Sequence, residues 1–166
     1  MSAVHECPIP ADALAMHALA PITYADAYVV RAPEGMTPED YARAMFANPP
    51  GWVTFLTRLR DRIVSLVGLK TAADLIGEGL ARKRGDGVRF SPFKILAADE
   101  NQLLFGVDDR HLDFRLSIQR VGAPSEFCVV TAVKLHNWLG RLYFLPVKPL
   151  HRLVVPAMMR KAGASF

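Results

Sequence analysis

Residues 93–135 read FKILAADENQLLFGVDDRHLDFRLSIQRVGAPSEFCVVTAVKL. Apolar side chains alternate here in four sets: Phe93, Ile95, Ala97; Leu103, Phe105, Val107; Leu112, Phe114, Leu116, Ile118; and Phe127, Val129, Thr131, Val133, Leu135. Asp99-Glu100-Asn101, Asp108-Asp109-Arg110 and Gly122-Ala123-Pro124-Ser125 separate them. A period of two bounded by turn residues marks half-buried strands, so the stretch predicts four consecutive antiparallel strands in a meander. A slip of one residue would turn every apolar side chain to the wrong face. Keeping both sets on one side pairs Leu112 with Leu135, Phe114 with Val133, Leu116 with Thr131 and Ile118 with Val129. The same logic pairs Val107 with Leu112 and Phe105 with Phe114. The opposite face then carries Asp113 beside Lys134, Arg115 two residues along, and His111 near His136.

Upstream, residues 22–30 (ITYADAYVV) are rich in β-branched and aromatic residues and stop before Pro33-Glu34-Gly35, which predicts a first strand. Thr37-Pro38-Glu39-Asp40 reads as a helix start with a cap, a proline at the first helical position and a capping-box acid. This helix is expected to end before Asn48-Pro49-Pro50. A second follows from Gly51, with Trp52, Phe55, Leu56, Leu59, Ile63, Leu66 and Val67 on one face and Gly68 as its stop. Residues 1–20 read as an irregular arm with a short helix near Asp12 to Leu19, and residues 70–90 as a mobile connection. Downstream, Asn137 is placed to cap a last helical segment. There Arg141, Lys148 and Arg152 share one stripe, and Trp138, Leu142, Leu150, Leu153, Val154 and Met158 supply apolar surface. Pro146, Pro149 and Pro156 predict that this segment is broken into helical pieces.

The chain of 166 residues has room for one core, and 51% hydrophobic with 22% charged residues supply it, so a single α+β domain over 1–166 is expected. No apolar run is long enough to span a membrane, and the N-terminus lacks the pattern of a secretory signal, which makes the cytoplasm the expected location. Cys7 and Cys128 form neither a disulfide framework nor a CxxC pair, so reduced thiols are expected, with Cys128 as a small core residue. All the acidic residues lie by Glu126, whereas Lys134, Arg141, Lys148, Arg152, Arg160 and Lys161 follow it and make the C-terminal part basic. A solvated helix face accounts for such charge.

The order strand, two helices, meander and C-terminal helix resembles that of the helix-grip (START-like, SRPBCC) fold, in which a curved antiparallel sheet wraps the last helix around an apolar cavity. The stretches YADAYVV, PPGWVTFLTRLRDRIVSLVGLK, GVDDRHLDFRLSIQR and VTAVKLHNWLGRLYFLPVKPLHRLVVPAMMRKA resemble the bacterial domain of unknown function 2867 family over about residues 20 to 163. The resemblance implies the helix-grip fold and no established activity. Some relatives carry the domain behind a Rossmann domain of the short-chain reductase kind, a part this sequence lacks.

That fold makes Phe93, Phe105, Phe114, Leu116, Val133 and Tyr143 the candidates for lining an apolar cavity, since small-molecule sites are mostly apolar with few polar groups. An apolar or amphipathic small molecule is the expected partner. The alternative is an enzyme or accessory subunit working with a short-chain reductase-like protein. His111, Asp113, Arg115, Lys134 and His136 form a second candidate, either a solvated charge ladder or, under cover, a polar cluster in which a histidine moves protons near neutral pH. Asp108, Asp109, His111 and Asp113 are metal-ligand types, but strand alternation points Asp109 away, and a turn explains them, so no metal is expected. The stretch 77–85 lacks the order of a phosphate loop and follows no predicted strand, which leaves a flexible loop. GxSxG, HExxH and CxxC are absent from the sequence, no cofactor is expected, and catalytic residues stay unassigned. Nucleic acid is not expected as a partner. Neither is a membrane surface, on the ground that a helix gripped by its own sheet cannot offer its apolar side to lipid.

Overall fold

The structure, a computed structural model, describes residues 3–66, 93–122 and 125–164. One sheet contains β1 (His5–Glu6), β2 (Tyr24–Arg31), β3 (Lys94–Ala98), β4 (Gln102–Asp108), β5 (Leu112–Arg120) and β6 (Glu126–Leu135) in the order β1-β2-β6-β5-β4-β3, each neighbouring pair antiparallel. The helices among the described residues are α1 (Leu14–His17), α2 (Pro38–Ala47), α3 (Gly51–Leu66) and α4 (Trp138–Gly163). A sheet packed against the C-terminal helix makes this a helix-grip-like α+β arrangement. The expected stop at Gly68, the connection over 70–90 and the glycine-rich stretch 77–85 lie outside the described residues.

The β5–β6 register is the expected one, with Leu112 opposite Leu135 and Ile118 opposite Val129. The β4–β5 register is not: Val107 faces Phe114 and Phe105 faces Leu116, two residues from expectation. Asp109 N donates to Leu112 O at 3.0 Å, and the Asp109 carboxylate accepts from Arg110 N, so the turn centres on Arg110 and His111. A slip of two preserves every side chain's face, and the apolar pattern therefore has no means of choosing between the two registers.

These pairings line side chains up in rows across one face. The first row is Val107, Phe114, Val133 and Tyr24; the second is Phe105, Leu116, Thr131 and Asp26; the third is Leu103, Ile118, Val129 and Tyr28. Beyond them lie Phe127 and Val30. Tyr41, Ala42 and Met45 of α2 and Val155, Met159 and Ala162 of α4 close the core over this face, with Tyr41 stacked on Phe127 at 4.8 Å. Helix α2 begins as its sequence predicts, Thr37 and Asp40 forming a reciprocal capping box with Pro38 in the first turn.

The first twenty residues are more than an irregular arm. Short β1 pairs with β2, and Ala13, Ala15 and Leu19 pack on Ala27, Leu104, Cys128, Val130 and Ala132, closing the back of the sheet. Small side chains on both sides make that close approach possible. Cys7 and Cys128, 121 positions apart in sequence, bring their sulfurs to 3.6 Å there as free thiols. Burial raises the pKa of both, which keeps them as weakly nucleophilic thiols.

The apolar face of α3 is not its buried one: Trp52, Phe55 and Leu59 are exposed, and Val53 is the buried residue of its first turns. Two expectations about the last helix are corrected. Helix α4 runs continuously through Pro146, Pro149 and Pro156. Each proline removes one backbone donor, but the carbonyls thereby left over belong to Leu142, Leu145 and Arg152, exposed positions where water can take the bond. The sheet-facing side of α4 is carried by Phe144, His151, Val155, Met159 and Ala162, whereas Leu142, Leu150 and Leu153, expected as contact surface, are exposed. Asn137 caps α4 as expected, accepting from Gly140 N at 2.9 Å. A Cβ at Gly140 would lie 2.2 Å from the His111 carbonyl oxygen, so only glycine lets the helix start this close to the β4–β5 turn.

Candidate ligand site

Five of the six apolar candidates come together on the α4 face of the sheet or at its edge. Phe105 and Leu116 are buried in the core and Val133 is buried beside it, while Phe93 and Phe114 stay half-buried with their rings 5.2 Å apart. Phe46 of α2 meets Phe93 and Phe105 edge-on at 5.9 and 5.5 Å. Tyr143 is half-buried on α4 but is engaged by α3, its hydroxyl accepting from Arg60 Nε at 2.7 Å. An open depression of about 570 Å³ lies elsewhere, at the β2–α2 connection, lined by residues that include Pro33, Met36, Arg43 and Ala44.

The polar candidates share the other face and one end of the sheet, yet do not converge on a common point. Asp113 lies opposite Lys134 in the register, as expected, but pairs with His136 Nε2 at 3.0 Å, and Lys134 donates to Ala20 O at 2.8 Å. Arg115 is buried across Gly106, where a Cβ would come within 2.9 Å of its Nη1, and it donates to Asp108, Phe114 O and Val107 O. His111 is held by Asn137 through Nδ1. The expected ladder is thus a set of separate pairings in which each group is turned toward its own anchor. Among the described residues, no group of three or more His, Cys, Asp or Glu side chains could hold a metal ion.

What the sequence reading did not single out is a polar cluster inside the apolar face. Asp26, 5% exposed, ends the second row beside Thr131, with Leu116 on the far side of Thr131. Tyr24 donates its hydroxyl proton to Asp26 Oδ2 at 2.6 Å, and His151 Nε2 from α4 lies 3.4 Å from Asp26 Oδ1 and 3.1 Å from Thr131 Oγ1. Burial by itself would raise the Asp26 pKa. The hydrogen bond and charge of His151, with the hydrogen bonds of Tyr24 and Thr131, outweigh burial and hold the carboxyl below its ordinary 3.8. Tyr24 shifts upward, first through burial and then through its bond to Asp26. Phe144 lies edge-on to Tyr24 at 5.1 Å, and Lys148 Nζ sits 5.2 Å from the centre of that ring. A signal was present: strand alternation puts Tyr24, Asp26, Tyr28 and Val30 on one face, which leaves a carboxylate where an apolar residue belongs.

Residues 18–158 match the model of a family described as protein of unknown function (DUF2867). The chain belongs to this family. No curated protein and no solved structure matches it. The DUF2867 match spans β2 through most of α4, so Tyr24, Asp26, Thr131 and His151 all lie within it.

Proposed function

We propose that this DUF2867 chain is a small-molecule-binding module. Its ligand would lie between the sheet and the first half of α4, with an apolar part against Phe93, Phe114 and Val133 and a hydrogen-bonding group directed at Asp26 and His151. The observation that carries this reading is the Asp26–His151 pair set into an otherwise apolar face. An ionic pair contributes less to stability there than a well-packed apolar pair would, because two charged groups must lose water. Sparse polar groups in an apolar cleft are, on the other hand, what orients a ligand. Half-burial of Tyr24 and Phe144 beside the pair, and of Phe114 and Phe93 farther across the same face, supports the same reading, since aromatic surface there is still accessible.

Native mass spectrometry of the purified full chain tests it. A bound small molecule is expected on the wild type, with its occupancy reduced in Asp26→Asn and in Phe114→Ala. Binding that is indifferent to both substitutions would contradict the placement.

The same pair favours one second reading, an enzyme or accessory subunit acting with a short-chain reductase-like partner. A carboxylate that holds an imidazole sets up the histidine to exchange a proton with a bound substrate. In that case the bound molecule takes up deuterium from deuterium oxide at a carbon position with the wild type and not with His151→Gln.

A further inference from the structure

Helix α4 has a second apolar side. While Phe144, His151 and Val155 face the sheet, Trp138 is 74%, Leu142 55%, Leu145 70% and Leu153 61% exposed. Steps of four, three and eight residues keep these four on one side of a helix, in a ridge about 22 Å long. Arg141, Lys148 and Arg152 run along its edge, and the whole of α4 contains no acidic residue. Glu6 offsets part of the Arg152 charge at 3.2 Å, whereas Arg141 and Lys148 remain exposed. The ground for expecting no membrane contact was that the sheet takes up the helix's apolar side; this ridge points away from the sheet and removes that ground.

A partner for this face must accept large apolar side chains and carry negative charge. A second copy of the chain fits less well, because antiparallel two-fold pairing along the ridge would bring the basic edges of both helices together, and parallel pairing would set each against a helix with no acidic residue. Nucleic acid would meet the cations but leave the ridge in water. A bilayer with anionic headgroups satisfies both demands, taking the apolar side chains at the headgroup boundary and the cations at its surface. No helix among the described residues is long and apolar enough to cross a membrane, so contact of this kind lies along the surface. We propose that this side of α4 docks the protein on an anionic membrane surface, with the helix axis in the plane of the headgroups.

Co-sedimentation of the full chain with phosphatidylcholine vesicles, with and without phosphatidylglycerol, tests the proposal. Binding is expected only to the anionic vesicles and is expected to weaken as salt rises. Arg141→Gln with Lys148→Gln should weaken it about 25-fold, at about fivefold per cation. Trp138→Gln with Leu145→Gln should abolish it while circular dichroism is unchanged, since both positions are exposed. In a Trp52→Phe background, Trp138 emission should shift to the blue on binding. Absence of binding to anionic vesicles at low salt would overturn the proposal, as would binding that survives loss of Trp138 and Leu145. A concentration-dependent dimer dissolved by those same two substitutions would overturn it in favour of a second copy.

Discussion

The two ends of the sheet–helix interface share one sheet face and one helix but are finished differently. At the α2 end, Ile118, Phe127, Val129 and Val30 are shut in by Tyr41, Met45, Val155 and Met159, and the Tyr41 hydroxyl donates to the Met159 carbonyl. Two rows away Phe114, Tyr24 and Phe144 are half-buried, and α4 supplies His151 to meet Asp26. The difference arises from what covers the rows: α2 and the last three turns of α4 bring close-packed apolar side chains to one end, and a titratable group arrives at the other. One end is closed by apolar packing, whereas the other leaves aromatic side chains half-buried around a hydrogen-bonded acidic group.

Truncating one phenylalanine at each end should separate them most sharply. Phe127→Ala, in the closed end, is expected to lower unfolding free energy by about 3–5 kcal/mol, and Phe114→Ala by about 1–2 kcal/mol, because a half-buried ring gives up less buried surface and leaves less of a cavity. Urea denaturation of the two variants measures both. Equal losses would make the two ends one continuous core.

A smaller effect distinguishes the ends by pH. Asp26 has its pKa lowered in the folded chain, so its contribution to stability is complete above the unfolded value of 3.8 and is lost as pH falls through the lower folded value. Asp26→Asn should therefore cost about 1.5–3 kcal/mol at neutral pH, the range for a hydrogen bond to a charged group. Its gap to the wild type should close in acid, as wild-type Asp26 takes up its proton. Urea denaturation as a function of pH measures the gap, and one that stays constant into acid would show that the carboxylate is not held by its neighbours.

The legibility of the fold in the sequence follows the same division. Alternation over Leu112 to Ile118 and Phe127 to Leu135 specifies the phase of β5 against β6, because any odd slip would expose the whole apolar set. It carries no information about even slips, which is why the β4–β5 offset came from the Arg110–His111 turn and not from the pattern. In residues 1–20 the short helix near Asp12 to Leu19 was legible and is α1, but its packing was not: that depends on Ala13 and Ala15 in and beside a helix of one turn, too short for a period to show which side is buried. In α4, apolar residues lie on two opposite sides and three prolines interrupt the pattern, so the sequence alone does not say which side the sheet takes. His151 becomes meaningful only once that choice is made. Asp26 was readable on its strand, but its partner, 125 residues away, was not.

The central claim is that a small molecule enters at the Tyr24–Phe114 end and leaves the Phe127 end untouched. Titrating the isotope-labelled full chain with anilinonaphthalene sulfonate, an apolar probe with one charged group, and following side-chain NMR signals tests this directly. Saturable shifts are expected at Tyr24, Phe93, Phe114, Phe144 and His151, while Ile118, Phe127 and Met159 stay in place. Shifts centred on Phe127 and Met159, or no shift around His151 while the probe binds elsewhere, would contradict it.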